Sequence, residues 1–184
     1  MNKLMLSTTF RIMKHNSCNK KYKHIGKALG GIRKYGRNTP ITLLQIFDIC
    51  GLGYTLWALR YMFPYQEQKR DKIARLFACD CAEDVLHIFE QEYPDDKRPH
   101  NAIETARKYA VGEATDEELL KIRWKALAAN EQAKTKATQQ AATAAWAAAC
   151  DLSLTSVMIN VIIQYMPKDR QPEILRKCLV KNNY

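Results

Sequence analysis

Three observations predict an all-α protein. Gly (7) and Pro (6) are scarce among 184 residues, and helix formers dominate. Residues 67–93, "EQKRDKIARLFACDCAEDVLHIFEQEY", place apolar side chains at helical spacing over seven turns. Half of residues 126–149 are alanine, recurring every three or four positions. The expected architecture is a single-domain bundle of about six or seven helices, with one long Ala-rich helix.

The elements follow in order. Residues 1–38 show weak periodicity, with a short helix expected near 20–29. Thr39 and Pro40 read as a cap and first helical position for "ITLLQIFDIC", and Gly51 reads as its stop. "YTLWALRYMF" restarts after Gly53 and ends before Pro64. On the helix expected at 67–93, Phe77, Ala78, Cys81, Ala82, Val85, Leu86, Ile88 and Phe89 form a wide apolar arc. Asp80, Glu83, Asp84, His87 and Glu90 form its polar stripe. "PDDKRP" breaks the chain at 94–99. Asn101 and Glu104 fit a capping box for a helix ending near Gly112, and Thr115 and Glu118 fit a second box.

That second box opens the long run, expected to reach residue 149. Ala126, Ala129, Ala133, Ala137, Ala141, Ala144 and Ala148 line one face of it, where small side chains allow close approach to the helix at 67–93. A further helix is expected over 151–166 and a last basic one from Pro172.

"AATAAWAAACDLSLTSVMINVIIQYM", residues 141–166, is long enough to cross a bilayer. Asp151 argues against it, because an acidic residue near the middle costs roughly 2.5–3.5 kcal/mol. The expectation is a buried helix with no membrane partner. Its apolar part, 154–166, also offers a seam for a homodimer.

Charge divides the chain. Residues 1–47 hold ten Lys/Arg, namely Lys3, Arg11, Lys14, Lys20, Lys21, Lys23, Lys27, Arg33, Lys34 and Arg37, and no Asp or Glu. The remainder is balanced, nineteen against nineteen, so the net +10 belongs to the N-terminal quarter. This divides the chain into a basic arm over 1–38 and a helical domain over 39–184. Lys20, Lys21, Lys23, Lys27, Arg33, Lys34 and Arg37 are the candidates for polyanion binding, with Tyr22 and Tyr35 available to stack on bases. An acidic protein partner and a solubilising tail remain alternative roles.

Six cysteines, no C-x-x-C and no evident secretory signal suggest reduced thiols in the cytoplasm. Neither a zinc site nor a cofactor is expected. Asp80, Asp84 and His87 share a helical face at spacings that suit a metal or an acid–base pair, but nothing else completes such a site, so a solvated face is the default. Arg75 lies inside the apolar arc. It either snorkels or is buried and paired, with Asp48 or Asp151 as candidates. Trp57, Trp124 and Trp146 read as core or helix-contact residues.

"YPDDKRPHNAIETARKYAVGEATDEEL", with "LWALR" (56–60), "RLFACDCAEDVLHIFE" (75–90) and "AATAAWAAAC", resembles a family of immunity proteins. These are small alanine-rich helical proteins of bacteria and phages, and the resemblance covers about residues 40–150. It implies an all-helical domain without known catalytic activity that binds a toxin, nuclease or defence factor. The expected function is therefore a non-enzymatic binder that inhibits or sequesters a protein partner, with a counter-defence role if phage-encoded. Asp80, Glu83 and Asp84, with Asp95, Asp96, Lys97 and Arg98 of the "DDKR" loop, are the expected contacts, and the acidic stripe suits a basic partner. The alternative is a nucleic-acid-associated protein acting through its basic arm.

Overall fold

The structure is a computed structural model that describes residues 5–16, 21–150 and 169–182. The described residues hold ten α-helices, one short 3-10 turn and one two-stranded ladder. They are α1 (Phe10–Asn16), α2 (Lys21–Ala28), α3 (Ile32–Tyr35), α4 (Leu43–Cys50), α5 (Leu52–Leu59), α6 (Glu67–Glu92), α7 (Arg98–Ala110), α8 (Asp116–Gln132), α9 (Lys136–Ala148) and α10 (Gln171–Asn182). The all-α expectation holds, with more and shorter helices than the six or seven read from sequence. Among the described residues no helix is long and apolar enough to cross a membrane. The helix expected over 151–166 lies outside the described residues.

The chain forms two compact units, residues 1–70 with 175–184, and residues 71–174. The charge boundary at 38 falls inside the first. There β1 (Ser7–Thr8) pairs antiparallel with β2 (Ile41–Thr42), Ser7 opposite Thr42 and Thr8 opposite Ile41. The buried Gln66 side chain extends this clamp. Its Oε1 accepts from the Ser7 N–H at 2.9 Å and its Nε2 donates to the Met5 oxygen at 2.9 Å. Thr8 Oγ1 donates to the Tyr61 backbone oxygen.

Leu6, Phe10, Met13, Ile25, Ile41, Leu43 and Ile46 are buried together in this unit. Gly26 is where α1, α2 and α3 converge. A Cβ there would collide with the Ile32 side chain and touch Phe10, so only glycine allows the approach.

Because Ile41 is committed to the ladder, the cap of α4 falls at Thr42 rather than Thr39. Thr42 Oγ1 accepts from the Gln45 N–H at 3.1 Å, and Gln45 Oε1 accepts from the Thr42 N–H at 2.9 Å. Gly51, at φ 75°, ends α4 as expected and lets α5 begin at once, two residues earlier than the sequence suggested.

In the second unit α6 buries Phe77, Ala78, Cys81, Ala82, Val85, Leu86 and Phe89 of the predicted arc. α7 starts three residues before Asn101. Asp96 takes the Arg98 N–H at 3.0 Å and Pro99 occupies the first turn, so the expected Asn101–Glu104 box is not used. Thr115 and Glu118 do form theirs, with N–H to side-chain distances of 2.8 and 3.2 Å.

The expected long helix is two. α8 ends at Gln132, Ala133 turns extended, and Thr135 caps α9 through a third box with Thr138. The break is held from outside: Tyr93 Oη accepts the Lys134 N–H at 2.9 Å and Glu92 accepts from Thr135 Oγ1 at 3.1 Å. α8 and α9 thus fold back on each other, and Thr143 Oγ1 donates to Asn130 at 3.1 Å between them. The alanine strip is buried by this folding, apart from the exposed Ala137, and also packs beside α7.

Candidate functional site

The second unit gathers its charged side chains onto arginines. Arg107 of α7 spans two carboxylates of α6, with Nη1 2.5 Å from Asp80 and Nη2 2.5 Å from Glu83. Burial opposes the Arg107 charge, but the hydrogen bond and charge of Asp80, together with Cys79 and Glu83, raise the guanidinium above its ordinary range. Asp84 pairs with Arg170 at 2.7 Å and is nearly enclosed, its side chain 10% exposed. The three acidic stripe residues expected to meet a partner therefore already hold cations of this chain. His87 is exposed, its Nδ1 3.1 Å from the Asp84 backbone oxygen.

The "DDKR" loop is organised in the same way. Arg98 grips Asp96 through Nε and Nη2, at 2.9 and 2.6 Å, and reaches Gln132 of α8 at 2.6 Å. The Arg98 hydrogen bonds hold the Asp96 carboxyl below its usual range. Lys97 lies 3.7 Å from Glu90, and Asp95 is exposed.

Arg75 resolves against snorkelling. It is 3% exposed, and Nη1 donates to the backbone oxygens of Ala148 and Cys150, both at 3.0 Å. Its guanidinium lies over the Tyr109 ring at 4.8 Å. The carbonyls at the end of α9 have no partners within the helix, and their partial negative charge suits a cation. Asp48, one of the partners considered for Arg75, is instead joined to Arg176 at 2.6 Å. Asp151 lies outside the described residues.

Sequence reasoning missed Trp124. It is not core but 58% exposed, one turn from the exposed Leu120 on α8, with Arg123 5.5 Å from its ring centre. The i, i+4 spacing of two large apolar residues was the available signal; the charged positions Lys121, Arg123 and Lys125 around them mark that face as outward. Trp57 is buried and Trp146 half-buried. A polar hollow of about 560 Å³ lies at the α8–α9 bend, lined by Asn130, Glu131, Lys136, Gln139, Gln140 and Thr143. Among the described residues no three His, Cys, Asp or Glu side chains cluster as metal ligands would.

In the first unit Lys21, Lys23, Lys27, Arg33 and Lys34 sit on short helices and Arg37 in the turn after α3. Lys23, Lys27, Arg33, Lys34 and Arg37 are exposed, Lys21 is half-buried, and Lys20 is outside the described residues. Tyr35 is engaged, edge-on to Phe10 at 6.0 Å with its hydroxyl donating to the Pro40 oxygen at 3.2 Å.

Fold and site together define an alanine-rich helical protein whose second unit is cross-linked by arginines. A family model described as "Imm-5 like putative immunity protein" matches residues 64–157, just over half of the chain, and the chain belongs to that family. The match begins later than the resemblance read at residue 40 and runs from the end of the first unit through α6, α7, α8 and α9. Neither a curated protein nor a solved structure matches the chain significantly.

Proposed function

We propose that the protein is a non-enzymatic immunity protein that binds a protein toxin and holds it inactive. The observation that carries this reading is the family membership of residues 64–157. The chemistry of the second unit supports it. Asp80, Glu83, Asp84 and Asp96 sit in internal ion pairs, which suits a rigid binding scaffold better than a reacting centre. The exposed Leu120 and Trp124 then supply an apolar anchor of the kind that carries binding energy in protein interfaces. Asp95 and Glu83 remain accessible as polar rim contacts. A phage source would make the same activity a counter-defence.

The test is capture of a partner by the immobilised full chain from its source cells, followed by co-expression. A captured protein that arrests growth alone, and is tolerated with this chain present, supports the reading. A captured protein whose toxicity is unchanged by the chain removes it.

A further inference from the structure

The two units carry opposite charge. The first, residues 1–70 and 175–184, has sixteen Lys/Arg against two carboxylates, a formal +14. The second, residues 71–174, has thirteen against seventeen, a formal −4. Both carboxylates of the first unit are already paired, Asp48 with Arg176 at 2.6 Å and Glu67 with Arg70 at 2.9 Å. Two carboxylates cannot offset sixteen cations, so the unit keeps a strong formal positive charge.

We propose that the outward side of the α1–α2–α3 cluster is a binding surface for the phosphate backbone of double-stranded nucleic acid. Phe10, Met13 and Ile25 turn into the core, and Gly26 draws the three helices together. The outward residues are then Arg11 and Lys14 on α1, Lys23 and Lys27 on α2, and Arg33 and Lys34 on α3, all exposed. Lys23 and Lys27 are one turn apart, so they share a face and repel unless a partner anion lies across them.

What is missing from this face selects the partner. Among the described residues the large exposed apolar side chains include Met5 and Ile49 but none between them. A helix that lies on a bilayer inserts an apolar face beside its lysines, and this cluster exposes none. A protein partner would need aromatic or aliphatic anchors, equally absent. Single strands are held by stacking on free rings, whereas Tyr35 is packed against Phe10, His24 is stacked on Tyr54 at 4.7 Å and Tyr22 is half-buried. Cations on a firm surface, without anchors or stacking platforms, match a regular array of phosphates and give sequence-independent binding.

The probe is a fluorescein-labelled duplex DNA of arbitrary sequence, about 20 base pairs, titrated with the full chain from about 50 to 200 mM salt. The expected log–log slope is about −5, as six cations would give. The variant Lys23→Gln/Lys27→Gln/Arg33→Gln/Lys34→Gln should lose binding at least about tenfold and flatten the slope by between about 3 and 4. Its melting temperature should stay that of the parent, because these side chains are exposed. The salt series on the parent needs no variant and stands alone should the variant misfold. Absence of binding at about 50 mM salt overturns the proposal. So does a folded variant that binds like the parent, or capture by phosphatidylserine vesicles in preference to the duplex. None of these outcomes bears on toxin neutralisation, which rests on the other unit.

Discussion

Arg75 Nη1 donates to the backbone oxygen of Cys150 at 3.0 Å, across 75 residues of chain. The same nitrogen serves Ala148 at 3.0 Å, and the guanidinium face lies against Tyr109. One buried cation thus ties α6 to the ring of α7 and the end of α9. Arg75→Met keeps the stem and removes the donors, leaving buried carbonyls without them. The expected loss is on the order of 3 kcal/mol, read as a lower urea midpoint at unchanged slope. Arg75→Lys should recover part of it, since an ammonium has charge but no planar fork. Parent-like stability in Arg75→Met would mean that water caps α9 equally well.

The Arg107 pairs should be unequal. Asp80 and Arg107 are each about a third exposed, whereas Glu83 is 61% exposed. Screening therefore leaves about 1 kcal/mol for the Asp80 arm and a few tenths for the Glu83 arm. A double-mutant cycle of Arg107→Ala with Asp80→Ala, and another with Glu83→Ala, measures both. Equal coupling energies would show that exposure does not rank them.

How far the sequence could be read follows from where each signal resides. α6 was legible nearly to its ends, because its periodicity is local and sustained. The Thr115–Glu118 box and the Gly51 stop were legible because three or four residues complete them. The α8–α9 break was not. Alanine periodicity runs straight through it, and the groups that hold it come from Tyr93 and Glu92, 41 and 43 residues earlier. A two-residue ladder has no period to detect, so Thr39 looked a better cap than Thr42. The acidic stripe was correctly placed on α6, but its occupancy by Arg107 and Arg170 is a tertiary fact with no trace in its own spacing. The count of charges by sequence position found a basic quarter. Only the fold adds Arg176, Lys177 and Lys181 to it and shows how lopsided the two units are.

Trp124 offers a separable test of partner binding. It packs little, so Trp124→Ala should change stability by less than about 0.5 kcal/mol. If it anchors the toxin, the same change should weaken capture at least about thirtyfold, in line with a 2 kcal/mol interface anchor. The measurement is calorimetric titration with the captured partner, beside a melting curve. Unaltered affinity would move the interface away from α8.

Cys79 predicts how the protein fails in alkali. Burial pushes its thiol from the ordinary 9.0 up to about 12, against the opposing pull of Arg107 and Arg75. The folded state therefore holds a proton that the unfolded chain has released. That contribution is fully present below about pH 9 and is lost as pH rises towards 12, at up to about 1.4 kcal/mol per pH unit. Lysines and tyrosines titrate in the same range, so the informative quantity is the difference between the parent and Cys79→Ala. The variant should start less stable, by the small cavity it leaves, and then decline less steeply above pH 9. Urea midpoints at half-unit pH steps measure both curves. Parallel curves would mean that the thiol reaches water, or ionises, without unfolding.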